Sequence, residues 1–124
     1  MTEAVLQPPS DAEVQDALAR FAAAVASRYA GRLKGLYLFG SRVRAQHRPD
    51  SDADVAVVLA DDGWQYWDEK MRLVDLAFDH TRASGVHVQP WPFTETEWAD
   101  APDGGTSDLV RNARREARPI EILS

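Results

Sequence analysis

Two short motifs with residue types suited to phosphate chemistry lie close together in the chain. Gly40-Ser41 follows the apolar run 36–39, and Asp52-Ala53-Asp54 leads into the apolar run 55–59. Glycine and serine at a strand end allow backbone N–H groups to approach a phosphate closely. Two carboxylates at positions i and i+2 of a strand point to the same face, where they can converge on a divalent cation that prefers oxygen ligands. A phosphate cradle beside metal-binding carboxylates indicates phosphoryl or nucleotidyl chemistry.

The loop between the motifs is basic. It is ten residues long and carries Arg42, Arg44 and Arg48. Arg42 and Arg44 could add positive charge at a phosphate site, or could belong to a loop that is simply solvated. Either motif alone is common in turns and at strand ends. Together they favour a functional site, because a structural loop has no need to place two acids at the start of a core strand, where they risk partial burial.

The predicted elements place both motifs at the ends of neighbouring strands. Ser10 and Glu13 have the spacing of a capping box, which predicts a first helix beginning after Ser10. Expected strands are 33–39, 53–60 and 86–91, and the expected later helices are 64–83, 94–98 and 108–117. This order favours an α/β (α+β) fold in which a small mixed sheet of three to four strands packs against helices. We expect a single domain spanning 1–124.

Several details of these elements are expected from residue type. The second long helix should bury an apolar face, because large apolar residues recur at helical spacing. Its members are Trp67, Met71, Val74 and Phe78. Pro90 and Pro92 should stop the third strand, since proline cannot donate to a strand ladder. The Gly- and Pro-containing segment 101–107 is expected to be a mobile loop, and 119–124 a tail or edge strand.

The composition limits the classes of function. The 124 residues include 44% hydrophobic and 27% charged residues, and the net charge is −6, which disfavours direct nucleic-acid binding. The chain has no cysteine, which excludes disulfides, a thiolate nucleophile and cysteine-based zinc sites. No segment has the length of a membrane span, and the N-terminus lacks the basic and apolar regions of a signal peptide. A cytoplasmic protein without membrane association is therefore expected.

The motif spacing resembles that of the minimal nucleotidyltransferases of the DNA polymerase β superfamily. The resemblance rests on Gly40-Ser41-Arg42-x-Arg44 and on Asp52-x-Asp54, with ten residues between Ser41 and Asp52. It implies a nucleotidyltransferase fold, with Gly40 and Ser41 holding the β- and γ-phosphates of a nucleoside triphosphate. It also implies that Asp52 and Asp54 bind Mg²⁺, while an acceptor hydroxyl attacks the α-phosphorus.

The family's third carboxylate acts as a general base, and the sequence departs from the family here. His87 falls at the expected place on the third strand. A histidine can accept a proton near neutral pH, so His87 could replace the acid, although a lone histidine on a strand is more often structural. Asp79 or Glu95 could also supply the third acid.

Several small family members resemble the antitoxin half of a pair whose toxin is a helical nuclease of the HEPN class. The resemblance implies transfer of AMP from ATP to a tyrosine of that toxin. Two alternatives stay open. The chain could modify a small molecule such as an aminoglycoside, with the pocket completed by a second copy in a homo-oligomer. It could instead be a catalytically degenerate antitoxin that acts by binding alone.

Overall fold

The computed structural model describes residues 9–40, 42–43, 52–99 and 108–120. Its helices are α1 (Asp11–Tyr29), α2 (Tyr66–Thr81), α3 (Glu95–Ala99) and α4 (Asp108–Glu116). Its strands are β1 (Leu33–Phe39), β2 (Ala53–Leu59), β3 (Val88–Thr94) and β4 (Arg118–Pro119). Short 3₁₀ turns follow α1 at Ala30–Arg32 and α2 at Arg82–Ser84.

The first helix begins as its sequence predicts. The Ser10 hydroxyl accepts the Glu13 N–H at 3.1 Å, and the Glu13 carboxylate accepts the Ser10 N–H at 2.8 Å, so both halves of the capping box form. Its apolar stripe, which includes Phe21 and Val25, is buried. The helix ends at Tyr29, and the next residue, Ala30, takes a positive φ of 46°.

The four strands form one sheet in the order β3-β2-β1-β4. This confirms the predicted small mixed sheet. β1 pairs antiparallel with both β2 and β4, whereas β2 and β3 are parallel. A parallel pair needs a long crossover connection, and α2 supplies it. The sheet therefore brings three strand termini together at the same end of the sheet: the C-terminal end of β1 and the N-terminal ends of β2 and β3.

The two faces of the sheet are covered differently. One face, which includes Val55, Val57 and Leu59, packs on α1 and α2 and forms the larger core cluster. The opposite face, which includes Phe39 and Ala56, forms a smaller cluster with residues of α4, α3 and β3. Because side chains alternate along a strand, Asp54 shares the second face with Ala56. None of the helices in the described ranges is long and apolar enough to cross a membrane.

Helix α2 buries a different face from the one predicted. Trp67, Met71 and Phe78 are 70%, 55% and 58% exposed, and Val74 is half-buried. The buried positions are Glu69, Leu73, Ala77 and Thr81. The pattern of large apolar residues is misleading because the buried face uses small residues and polar groups that are hydrogen-bonded: Thr81 donates to the Ala77 carbonyl at 2.5 Å.

The polar contacts of Glu69 fix α2 to α1. Its carboxylate, 3% exposed, accepts hydrogen bonds from Tyr29 Oη at 2.9 Å, Arg32 at 3.0 Å and Arg72 at 3.2 Å. Burial alone would raise the pKa of Glu69, but the hydrogen bonds from Arg32 and Tyr29 outweigh it and lower that pKa. The three donors therefore keep a carboxylate ionised inside the helix interface.

Strand β3 also differs from its prediction. It runs from Val88 to Thr94 and continues through Pro90 and Pro92, both buried, instead of stopping there. The prolines are tolerated because β3 lies at the edge of the described sheet, where one side of the backbone has no ladder to complete. The predicted mobile loop 101–107 lies outside the described residues, as does 121–124 of the predicted tail.

Candidate active site

Gly40 forms the turn that ends β1. Its φ is +85°, a left-handed conformation that favours glycine, and the Val43 N–H donates to its carbonyl at 3.1 Å. Its own N–H donates to the Glu116 carboxylate at 2.9 Å, which ties the turn to the end of α4. A Cβ at Gly40 would lie 2.5 Å from Oδ2 of Asp54. The missing side chain therefore creates the space that the Asp54 carboxylate occupies.

Asp54 is held from both neighbouring strands. On β1 it pairs with Phe39, immediately before the Gly40 turn. From β3, Trp91 donates its indole N–H to Oδ1 of Asp54 at 3.3 Å. Asp54 thus lies between the glycine turn and an indole, with its carboxylate oriented by the fold.

Asp52 faces His87. The ladder extends to this end of the strand, since the Ala53 N–H donates to the His87 carbonyl at 2.9 Å. Nδ1 of His87 lies 2.8 Å from Oδ1 of Asp52, and the two side chains are 66% and 45% exposed. A carboxylate that orients a solvent-accessible imidazole is an arrangement able to move a proton.

Lys70 was not predicted from the sequence. It extends from α2 past the edge strand, where its ammonium donates to the Pro90 carbonyl and lies 3.9 Å from the centre of the Trp91 ring. Burial lowers the pKa of Lys70, and the negative charge of Asp54 opposes that shift. The cation therefore supports the indole that contacts Asp54. Only the parallel register of β2 and β3 brings these residues together, so a sequence motif could not reveal them.

The other predicted site residues lie elsewhere in the described structure or outside the described residues. Arg42 lines a cavity of about 460 Å³ between α1 and β4, together with Arg118. Ser41 and Arg44 lie outside the described residues. Glu95 is exposed at the start of α3, and Asp79 lies on α2 beside a cavity that it shares with residues of α1.

The position opposite Asp54 on β3 is Gln89. An amide there offers an oxygen but cannot act as the ionised acid that the family places on this strand. Within the described residues, no group of three or more His, Cys, Asp or Glu side chains could hold a metal ion. The two carboxylates of the site are Asp52 and Asp54, and carboxylate oxygens are ligands that suit a hard divalent cation.

The family model of the nucleotidyltransferase domain matches residues 18–120. The chain therefore belongs to the nucleotidyltransferase domain family. This assignment agrees with the resemblance that the two motifs carry and with the mixed four-stranded sheet packed against helices.

Two solved structures share the fold at low sequence identity. A candidate nucleotidyltransferase from Sulfolobus solfataricus is 19% identical, with a TM-score of 0.53 over 94% of this chain and 90% of the other. The cyclic dinucleotide synthase CdnE from Elizabethkingia meningoseptica, solved with GTP and Apcpp, is 18% identical with a TM-score of 0.54. That match covers 71% of this chain and 41% of the synthase. No curated protein sequence matches the chain.

Proposed function

We propose that this nucleotidyltransferase uses ATP and Mg²⁺ to transfer AMP to a hydroxyl, and that the acceptor is a tyrosine of a HEPN-type toxin. The observation that carries the proposal is the contact between the Gly40 turn and Asp54, in which a glycine leaves room for a carboxylate at the end of β1. Asp52, two residues earlier on the same face, adds the second carboxylate. The toxin partnership rests on the resemblance to small antitoxins.

Each residue of the candidate site has a separate proposed role in the transfer. Asp52 and Asp54 would hold Mg²⁺, while the backbone at Gly40 and Ser41 would bind the terminal phosphates. When bound, Mg²⁺ would neutralise charge on the triphosphate as pyrophosphate leaves. The acceptor oxygen forms a bond to the α-phosphorus, and the bond from that phosphorus to the bridging oxygen breaks. His87, whose Nδ1 lies 2.8 Å from Asp52, would take the proton of the acceptor hydroxyl.

A second function is favoured by one observation. Beside the two aspartates, the residue that precedes β3 is His87 and the β3 residue opposite Asp54 is Gln89, so neither position carries a carboxylate. A chain that has lost its general base could still neutralise a partner by contact alone. The two functions differ in whether Asp52 and Asp54 are needed for neutralisation.

Calorimetric titration of ATP in the presence of Mg²⁺ tests the nucleotide site. We expect the wild type to bind only with Mg²⁺, and Asp52→Asn/Asp54→Asn to bind at least about tenfold more weakly, because both metal-binding carboxylates lose their charge. Asp75→Asn/Asp79→Asn removes the same charge from the exposed side of α2 and should bind as the wild type does. Absence of binding to the wild type would contradict the ATP-using function and favour the contact-only alternative.

Transfer is tested separately with ATP labelled at the α-phosphate. Label should appear on a tyrosine of the toxin with the wild-type chain and should be absent with the double aspartate variant. Retained neutralisation without any label would favour binding alone.

A further inference from the structure

One helix presents an apolar face to solvent. The exposed side chains Trp67, Met71 and Phe78, with half-buried Val74 between them, follow the i, i+4, i+7, i+11 spacing of a single stripe on α2. Trp67 is the most exposed of these side chains, at 70%. Surfaces of soluble proteins that keep large apolar side chains together in water are commonly interaction sites. We call this surface the α2 stripe.

An acidic row runs beside the α2 stripe. Asp68, Asp75 and Asp79 each follow a stripe residue by one position, which places them about 100° further around the helix. All three are exposed, and none forms a side-chain hydrogen bond or ion pair with another residue in the described part of the chain. The row therefore adds negative charge along one side of an apolar surface, and the guanidinium of Arg82 lies 5.3 Å from the centre of the Phe78 ring on that surface.

The α2 stripe leads to the candidate active site. A cavity of about 300 Å³ lies between the end of α2 and the start of β3, and its lining is mainly apolar. Val74 and Phe78 of the stripe line one side of it, and His87 lines another. Since His87 contacts Asp52, this cavity connects the stripe to a residue that lies beside one of the two candidate carboxylates.

We propose that the α2 stripe binds a helix of the acceptor protein, one whose apolar side chains are flanked by lysine or arginine, and that the cavity admits the acceptor side chain to His87. The acceptor role rests on the proposed function, whereas the docking surface does not. The acidic row selects a basic partner by charge complementarity. A second copy of this chain is disfavoured as the occupant, because each copy carries a net charge of −6 and would bring its own acidic row.

Binding of a synthetic helical peptide tests the surface. The probe is a short leucine–lysine amphipathic peptide ending in tyrosine, compared with its leucine–glutamate counterpart. The wild type should bind the lysine peptide, and Trp67→Gln/Phe78→Gln should bind it at least about tenfold more weakly, as expected when central apolar contacts are lost. Asp68→Asn/Asp75→Asn/Asp79→Asn should also weaken binding. Asp11→Asn/Asp16→Asn/Glu95→Gln, with the same charge change elsewhere, should bind like the wild type.

Other outcomes overturn the proposal. Equal binding of the two peptides, or unchanged binding by Trp67→Gln/Phe78→Gln, would exclude the stripe as the docking surface. A wild-type dimer that this double variant dissociates would make the stripe an interface between copies. Imidazole resonances of His87 that stay unchanged when the tyrosine-ended peptide binds would exclude access through the cavity. Titration of ATP with Mg²⁺ into Trp67→Gln/Phe78→Gln separates this test from the proposed function, because the variant should bind nucleotide normally.

Discussion

A single glycine sets the geometry beside Asp54. Sequence reasoning placed Gly40 near a phosphate because of its small size. The structure adds a second reason, since φ is +85° and the space of a Cβ is taken by Oδ2 of Asp54 at 2.5 Å. Gly63 has almost the same backbone conformation, with φ +81°, yet nothing lies within 4 Å of its Cβ position. Substitutions at the two glycines therefore separate the free-energy cost of a positive φ from the free-energy cost of a contact with Asp54.

Gly63→Ala is expected to lower the free energy of unfolding by about 1–2 kcal/mol because it forces alanine to a positive φ, and Gly40→Ala should lower it by more because its methyl group also meets Oδ2 of Asp54. Only Gly40→Ala should weaken ATP binding in the presence of Mg²⁺, since the new methyl group would turn the Asp54 carboxylate away. Urea unfolding and calorimetry measure the two effects. Equal nucleotide affinity in both variants would show that the contact with Asp54 has no role in the site.

Spacing in the sequence was enough to predict that Gly40, Asp52 and Asp54 lie near one another, because these residues flank two strands joined by one loop. It was not enough to identify Trp91 and Lys70. Their contacts depend on the pairing of β2 with β3 and on the path of α2 around the sheet edge. When residues are brought to one site by a crossover connection, the number of residues between them in the sequence is not fixed, so their spacing does not predict the contact.

At the scale of elements, the bounds of α1 and β1 followed from their end signals, whereas the prolines of β3 did not end that strand. β1 was predicted in full, from the apolar run that Gly40 ends. The buried face of α2 was predicted wrongly because Glu69, a charged residue, is more buried than Trp67. A prediction from hydrophobic pattern expects apolar side chains to be buried and charged ones to be exposed. Here the hydrogen bonds from Tyr29 and Arg32 make burial of the Glu69 carboxylate favourable.

Glu69→Gln should destabilise the α1–α2 interface. The substitution keeps the shape of the side chain but removes the charge that Arg32 and Arg72 approach, so a loss of about 2 kcal/mol is expected. Thermal unfolding would then show a melting temperature lowered by several degrees. Asp68→Asn, the adjacent exposed position, is the matched control and should change stability little. A melting temperature equal to that of Asp68→Asn would mean that the network does not stabilise the fold.

At the scale of the whole molecule, the same network sets the pH range of stability. The pKa of Glu69 is lowered in the folded chain, so its contribution is present above its ordinary value of 4.5 and is lost as pH falls through the folded pKa. Burial and the bond to Glu69 raise the pKa of Tyr29 from 10.0 to about 12. The folded chain therefore keeps the phenol proton at a pH where the unfolded chain loses it, and stability falls as pH rises above 10.0.

Tyr29→Phe should remove this alkaline contribution. Between pH 8 and pH 11 the free energy of unfolding of the wild type should fall by about 1 kcal/mol more than that of the variant, from a phenol that ionises first in the unfolded chain. Urea unfolding at the two pH values measures the difference, and other titrating groups cancel in the comparison. Parallel losses in both proteins would show that Tyr29 ionises equally in the folded and unfolded chains.

The parallel pairing of β2 with β3 also orders events during synthesis. Asp52 and Asp54 leave the ribosome 35 and 37 residues before His87 and Trp91, the side chains that hold them. Non-local pairs form only after the intervening chain is made and its loop is closed. A nascent chain ending within α2 would carry both aspartates on a strand that still lacks one neighbour. A chain that stalls before β3 would therefore lack both the side chains that hold the two aspartates and one neighbour of β2, and its open strand edge would make it prone to aggregate.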